Sequence, residues 1–359
     1  METCMEKLTH FLKGVSKEVN VVVMPDFFLD RLITLEQDPS EFATNIKDIA
    51  TRKGGSIDGI RQTDIRGGNA VNVASALATL GAEVTPIICT SQLGQQLLIH
   101  HLKPLGVDLS HVKVAGSASM TTALELTGVN GRVNVMLRDL GSLADFGPED
   151  LSNGDYEAIQ VADFVCIFNW AGTRSHGTEL AQTVFGAAKA KGKGKTYFDS
   201  ADPTPNPEQI PALIEKVLKN WQSDILSLNE NEAITFAGYL KKETQPNINN
   251  QQFDDLALNA TRFLAKQLSA RIDLHATTFS ATFTKRGETI VPAFNVNALR
   301  ATGAGDAWDA GNIIGYGNDL SDDCRLTLAN AVSACYLTDP EGAHPTRQQL
   351  VRFLETYKA

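Results

Sequence analysis

Short apolar runs rich in valine and isoleucine alternate along this chain with longer stretches of helical period, and that alternation limits the folds open to it. Residues 19–24 (VNVVVM), 84–89 (VTPIIC), 163–168 (DFVCIF), 195–199 (KTYFD) and 223–228 (SDILSL) read as buried strands. Helical patterns cover 69–80, 91–103, 177–190, 207–219 and 229–240. Strand followed by helix, repeated, predicts an α/β fold with a central, mostly parallel sheet flanked by helices on both faces. Residues 118–138 break the rule with two alternating strands around Gly128-Val129-Asn130-Gly131, which predicts a β-hairpin. The polar segment 36–64 reads as an insertion over the surface, and 241–255 as a polar loop. No internal repeat and no linker divides the 359 residues. A single domain over 1–359 is therefore expected, with lid elements within 26–36 and 115–140.

Charge and cysteine content narrow the partners. The formal net charge of −10 argues against a nucleic-acid or membrane binder, because phosphate backbones and anionic lipids attract cations. No stretch approaches the ~18 apolar residues of a membrane span. The N-terminal METCMEKLTHFLKG mixes charges throughout, so it reads as a short amphipathic helix and not as a signal peptide. Cys4, Cys89, Cys166, Cys324 and Cys335 are scattered and odd in number, a pattern of buried thiols in a reducing, cytoplasmic setting.

Two segments imitate familiar nucleotide motifs. Gly194-Lys195-Thr196 ends like a P-loop, but Lys189 stands where the leading glycine belongs, and the tripeptide precedes a strand where the motif precedes a helix. Gly303-Ala304-Gly305 could begin a dinucleotide fingerprint, yet its third glycine would fall at Trp308 and no βαβ unit opens there.

Four other segments carry chemistry. Residues 302–311 read Thr-Gly-Ala-Gly-Asp-Ala-Trp-Asp-Ala-Gly ahead of an apolar helical pattern. Small residues at a helix entry let consecutive backbone N–H groups face an anion, helped by the helix dipole. Asp306 beside such an anion suits a general base that takes a proton from an attacking hydroxyl; it could equally be an ordinary acid at a helix N-terminus. Arg66-Gly67-Gly68-Asn69-Ala70-Val71-Asn72 pairs glycines that admit a ligand with two amides suited to sugar hydroxyls, or else simply starts a core helix. Asp30, just past the first strand, could accept from vicinal hydroxyls or form a solvated pair with Arg31. Asn229-Glu230-Asn231-Glu232 has capping-box spacing, which is compatible with a second role in supporting a metal.

Together these segments resemble the ribokinase-like carbohydrate and nucleoside kinases, the phosphofructokinase-B group, over nearly the whole chain from about Val19 to Leu354. Gly67–Ala74 is similar to the first family signature, Thr302–Asp306 to the second and Asn229–Glu232 to its N-x-x-E motif. Leu328-Ala329-Asn330-Ala331-Val332 with Gly342-Ala343 is similar to its C-terminal nucleotide region. The resemblance implies an ATP-dependent kinase acting on a hydroxyl of a small sugar or polyol. It makes Asp306 the base, Gly303, Ala304 and Gly305 the anion hole, and Asp30, Gly67, Gly68, Asn69 and Asn72 the substrate contacts. Asn229, Glu232, Thr302 and Asn330 would serve Mg-ATP, with Glu232 reaching Mg2+ indirectly, and the lid would offer a homodimer contact.

Three departures from the family pattern qualify this. Ala301 stands where an aspartate usually precedes the second signature, so weak or absent potassium activation is expected. The glycine-containing strand end that borders the phosphates is read at Thr277–Ala281. Phe28 replaces a substrate-binding asparagine, which turns the expectation away from ribose. A nucleoside kinase, with Phe27, Phe28 or Trp170 stacking on a base, is the alternative. Arg31, Arg66 and Arg138 are the candidates to bind a sugar phosphate, and an inactive sugar sensor is the reading from another class.

Overall fold

The computed structural model describes residues 3–128, 131–191, 193–220, 222–242, 253–300 and 302–357. The tip of the expected hairpin at Val129-Asn130, residues 243–252 of the polar loop and Ala301 lie outside the described residues. In chain order the strands are β1 (Asn20–Met24), β2 (Phe28–Leu35), β3 (Arg61–Gly67), β4 (Glu83–Pro86), β5 (Cys89–Thr90), β6 (Lys113–Val114) and β7 (Ser119–Gly128). They continue with β8 (Gly131–Asp139), β9 (Phe164–Ile167), β10 (Lys195–Asp199), β11 (Ile225–Leu228), β12 (Arg271–His275), β13 (Phe279–Thr284) and β14 (Gly287–Pro292).

Eight of them form the central sheet in the order β14-β13-β12-β11-β10-β9-β1-β4. From β12 to β4 all neighbours are parallel, while β13 and β14 add an antiparallel edge. Successive strand side chains point to opposite faces, and β1 shows the consequence. Val22 and Met24 pack into one apolar core, Val21 and Val23 into the other. Both faces must therefore be covered by helices, which is why these strands read as continuous apolar runs. Lys195 and Thr196 open β10, so the apparent P-loop ending is the start of a buried strand.

A separate four-stranded sheet, in the order β3-β2-β7-β8, holds the segments expected to be lid elements. The hairpin β7–β8 falls where the sequence places it, and β2 joins it in parallel register, with Asp30 opposite Thr121. The segment 36–64 is more ordered than a surface insertion. It contains the helix Pro39–Thr51, capped by Asp38, and most of β3, which pairs along β2. Its polar composition misled because this helix has no buried residue and β3 is largely exposed. Among the described residues no helix is long and apolar enough to cross a membrane.

Candidate active site

The site is built where two helix N-termini meet. The helix Asn69–Thr79 starts at Gly68, whose φ of +95° is a conformation that side chains rarely adopt; a Cβ there would lie 2.8 Å from Phe27 Cα. Glycine offers no capping side chain, so the cap comes from elsewhere. Asp26, fully buried, accepts from Asn69 N (2.9 Å), Ala70 N (2.8 Å) and Asn169 Nδ2 (2.8 Å). Burial pushes the Asp26 carboxyl up in spite of these three donors.

Asn69 and Asn72 are three residues apart on the first turn and so share a face. Their amides donate to the two oxygens of one carboxylate, Asn69 Nδ2 to Asp306 Oδ1 at 2.8 Å and Asn72 Nδ2 to Asp306 Oδ2 at 2.9 Å. Asp306 lies in the first turn of the helix Ala304–Gly317, which Gly303 enters with a φ of +85°. A Cβ on Gly303 would come within 2.6 Å of the Tyr336 hydroxyl, which itself donates to Thr302 O (3.2 Å). The first intrahelical bond is Ala307 N to Gly303 O, so the N–H groups just before Ala307 have no partner within the helix. Burial pushes the Asp306 carboxyl up to about 8 against the pull of Asn72 and Asn69, and the negative fields of Asp26 and Asp199 add to the rise. Arg66 is half-buried nearby, with Nη1 donating to Ser75 Oγ at 2.9 Å and Nη2 lying 3.3 Å from His344 Nδ1.

The four-stranded sheet supplies Asp30. On β2 the strand alternation sends Arg31 to solvent, where it pairs with Asp64 (2.6 and 2.8 Å), and turns Asp30 inward against Gly67. A Cβ on Gly67 would strike the Asp30 carboxylate, so glycine is required for the two strands to pass. Asp30 Oδ1 is buried with no hydrogen-bond partner. Burial raises the Asp30 carboxyl, opposed by Thr121 and by the charge of Arg138, whose guanidinium lies 5.2 Å from the centre of the Phe28 ring.

The remaining expected residues divide. Asn229 and Glu232 form a complete capping box: Asn229 Oδ1 accepts from Glu232 N (3.0 Å), and Glu232 accepts from Asn229 N (2.9 Å) and Nδ2 (2.7 Å). Burial first, then Asp199, pushes the Glu232 carboxyl well up, with Asp202 and Glu230 adding to it. Asn330, expected to serve Mg-ATP, lies in the helix Asp322–Thr338. Its Oδ1 accepts from Trp308 Nε1 (2.9 Å) and Ser280 Oγ (2.5 Å), and its Nδ2 donates to Pro292 O (3.0 Å), so both ends of the amide are engaged in the interior. β12 ends at His275, whose Cε1 lies 3.2 Å from where a Cβ on Gly305 would stand, whereas Thr277 and Thr278 belong to the turn before β13.

Asp26, Asp199 and His275 are the site residues that motif reading overlooked. Each stands at or just beyond the carboxyl end of a parallel strand, where open α/β sheets bind ligands, and that position was the available signal.

The fold is that of the ribokinase-like kinases. It superposes with a TM-score of 0.70 on a structure of Arabidopsis thaliana ribokinase complexed with ribose and ATP, at 18% identity over 95% of this chain and 100% of that one. The chain itself belongs to the pfkB family of carbohydrate kinases, whose sequence profile it matches across residues 38–349. It is thus an ATP-dependent phosphotransferase acting on an alcohol group. It is 24% identical over 300 residues to a 5-dehydro-2-deoxygluconokinase of Geobacillus kaustophilus, spanning 81% of this chain and 85% of the relative. To an ATP-dependent ribose-1-phosphate kinase of Halopiger xanaduensis it is 28% identical over 292 residues, spanning 80% and 86%.

Proposed function

We propose that this kinase phosphorylates a hydroxyl of a small sugar or polyol, with Asp306 as the general base. The observation that carries the reading is the Asp306 carboxylate, aimed by Asn69 and Asn72 at the mouth of a helix N-terminus. Those two amides use one lone pair on each oxygen, and the remaining lone pairs accept the substrate proton. The backbone N–H groups of Gly303, Ala304 and Gly305, with the dipole of the helix behind them, stabilise charge on the transferring phosphoryl group. Thr302 borders that loop. The orphaned Asp30 Oδ1, beside Gly67 and Gly68, accepts from a substrate hydroxyl. Asn69 and Asn72, expected to touch the substrate, act first as positioning residues for the base.

Glu232 lies in the field of Asp199, Asp202 and Glu230, carboxylates of the kind that favour a hard, hydrated divalent ion. Asn229 and Glu232 would hold Mg2+ with the nucleotide there, and the ion would supply neutralisation of phosphate charge.

The low exposure of Phe27 and Trp170 (1% each) and of Phe28 (3%) favours the sugar or polyol reading over the nucleoside alternative. The exposed Met120, Val135, Met136 and Leu137 on the lid sheet support pairing of two chains through that sheet. Coupled detection of ADP release across a panel of sugars, polyols and nucleosides tests the assignment. Turnover confined to nucleosides, or none with any alcohol, would overturn it.

A further inference from the structure

Behind the anion loop, three side chains from β10, the end of β12 and the helix Ala304–Gly317 converge on one point. Asp199, His275 and Asp309 each present a ligand atom there, and these atoms all lie within 4.8 Å of one another. Each side chain is also held from behind. Asp309 Oδ1 accepts from Tyr197 Oη (2.5 Å) and Ser227 Oγ (2.6 Å), which leaves Oδ2 directed inward. Asp199 Oδ1 accepts from Ala201 N (2.8 Å), so its Oδ2 is the inner atom. The His275 ring is fixed by the indole of Trp308, at 5.1 Å between ring centres and 36° between planes.

The inner atoms are left unanswered. Asp309 is 0% exposed, and its Oδ2 has no hydrogen-bond partner. His275 Nε2 is likewise buried and unpartnered, 3.7 Å from Asp199 Oδ2 and so beyond hydrogen-bond reach. A single proton between the carboxylates would satisfy that pair and leave His275 Nε2 with nothing. A cation at the centre answers all three. Atoms bound to one ion at about 2.0–2.2 Å lie no more than about 4.4 Å apart, so movements of tenths of an ångström close the set.

We propose that Asp199, His275 and Asp309 bind a divalent first-row transition ion of the Mn2+ to Zn2+ series, distinct from the ion that accompanies the nucleotide. One imidazole nitrogen with two carboxylate oxygens is a borderline donor set, whereas Mg2+ and Ca2+ take oxygen alone. The outer hydrogen bonds from Tyr197, Ser227 and Ala201 have the form of the second layer that orients metal-bound carboxylates. Bound there, the ion ties β10, β12 and the catalytic helix together directly beneath Gly305.

The test uses the full chain, stripped with a chelator and titrated with Co2+ in the absence of nucleotide. Among the described residues, Cys4, Asp323 and Cys324 form the one other cluster with suitable spacing, so the titration is run in a Cys4→Ser, Cys324→Ser background. The expected result is one Co2+ per chain, with visible ligand-field bands and a rise in Tm. His275→Gln and Asp309→Asn each abolish the bands, and Tyr197→Phe weakens binding about 10- to 100-fold. Glu232→Gln leaves Co2+ binding intact, which separates this site from the nucleotide's ion. Far-UV circular dichroism confirms that the variants are folded, and His275→Gln decides alone if the more buried Asp309→Asn fails that check. No stoichiometric Co2+ in the background protein, or bands that survive His275→Gln, would overturn the proposal. Kinase turnover with Mg2+ is a separate measurement, so either reading can fail without the other.

Discussion

Replacing Asp306 by asparagine removes the proposed base and, with it, a buried titrating group, so one substitution reads out two independent consequences. The carboxyl is pushed from its ordinary 3.8 up to about 8, chiefly by burial. Between those values the folded chain holds a proton that the unfolded chain has released. By linkage the native state then loses stability as pH rises through the window, by a ceiling of ~6 kcal/mol at alkaline pH. The substituted amide has no such titration. Its NH2 would meet one of the amides of Asn69 and Asn72, an unsatisfied pairing costing about 1–3 kcal/mol at every pH. That constant cost drops out when two pH values are compared. Urea unfolding at pH 5 and pH 9 is therefore expected to show the variant gaining several kcal/mol relative to the parent at the higher pH. Turnover should fall about 10²- to 10⁴-fold, and the parent's acid limb should climb as Asp306 ionises. Parallel stability profiles would show that Asp306 is not held protonated by the fold, and near-normal turnover would remove it as the base.

Asp30→Ala deletes a half-buried carboxylate with one buried, orphaned oxygen, so the fold should survive while KM rises by roughly 10- to 100-fold, from ~1.5–3 kcal/mol of lost charged hydrogen bonding; unchanged KM and kcat for the true substrate would place Asp30 outside the site. Gly68→Ala forces a side chain into a φ of +95° and against Phe27 Cα, and a Tm drop from ~1–3 kcal/mol of strain is expected by calorimetry; an unchanged Tm would count against the close approach. Ala301 offers no carboxylate beside the anion loop, so KCl titrated against tetramethylammonium chloride at equal ionic strength should give little potassium-specific rise in kcat; a several-fold rise would show that other oxygens build the cation site.

The buried parallel strands were legible because covering both faces of a sheet demands uninterrupted apolar runs, and β10 begins and ends where the pattern does. The antiparallel edge was not. Ser280, Thr282, Thr284 and Thr289 give β13 and β14 a polar texture, although Ser280 and Thr282 are buried by pairing and by the helix over them. The two signature loops announced themselves through glycines whose necessity is steric, at Gly68 and Gly303. What sequence spacing could not convey was direction. Asn330, in the helix Asp322–Thr338, turns into a network with Trp308 and Ser280, and β12 ends at His275 with no glycine to mark it, so the reading of a strand end fell on Thr277–Ala281.

The two amides that grip Asp306 come from residues 237 and 234 positions earlier in the chain. No local segment, and neither half of the protein, contains the assembled site of the proposed base. Bringing these residues together requires closing a loop of most of the chain, a contact of high sequence separation that forms late or only with the whole topology. Turnover in this enzyme is therefore a proofreading signal for the fold. A nascent chain still lacking residues beyond Gly303 has Asn69 and Asn72 with no carboxylate to orient, and so lacks the proposed base until synthesis has passed its last signature.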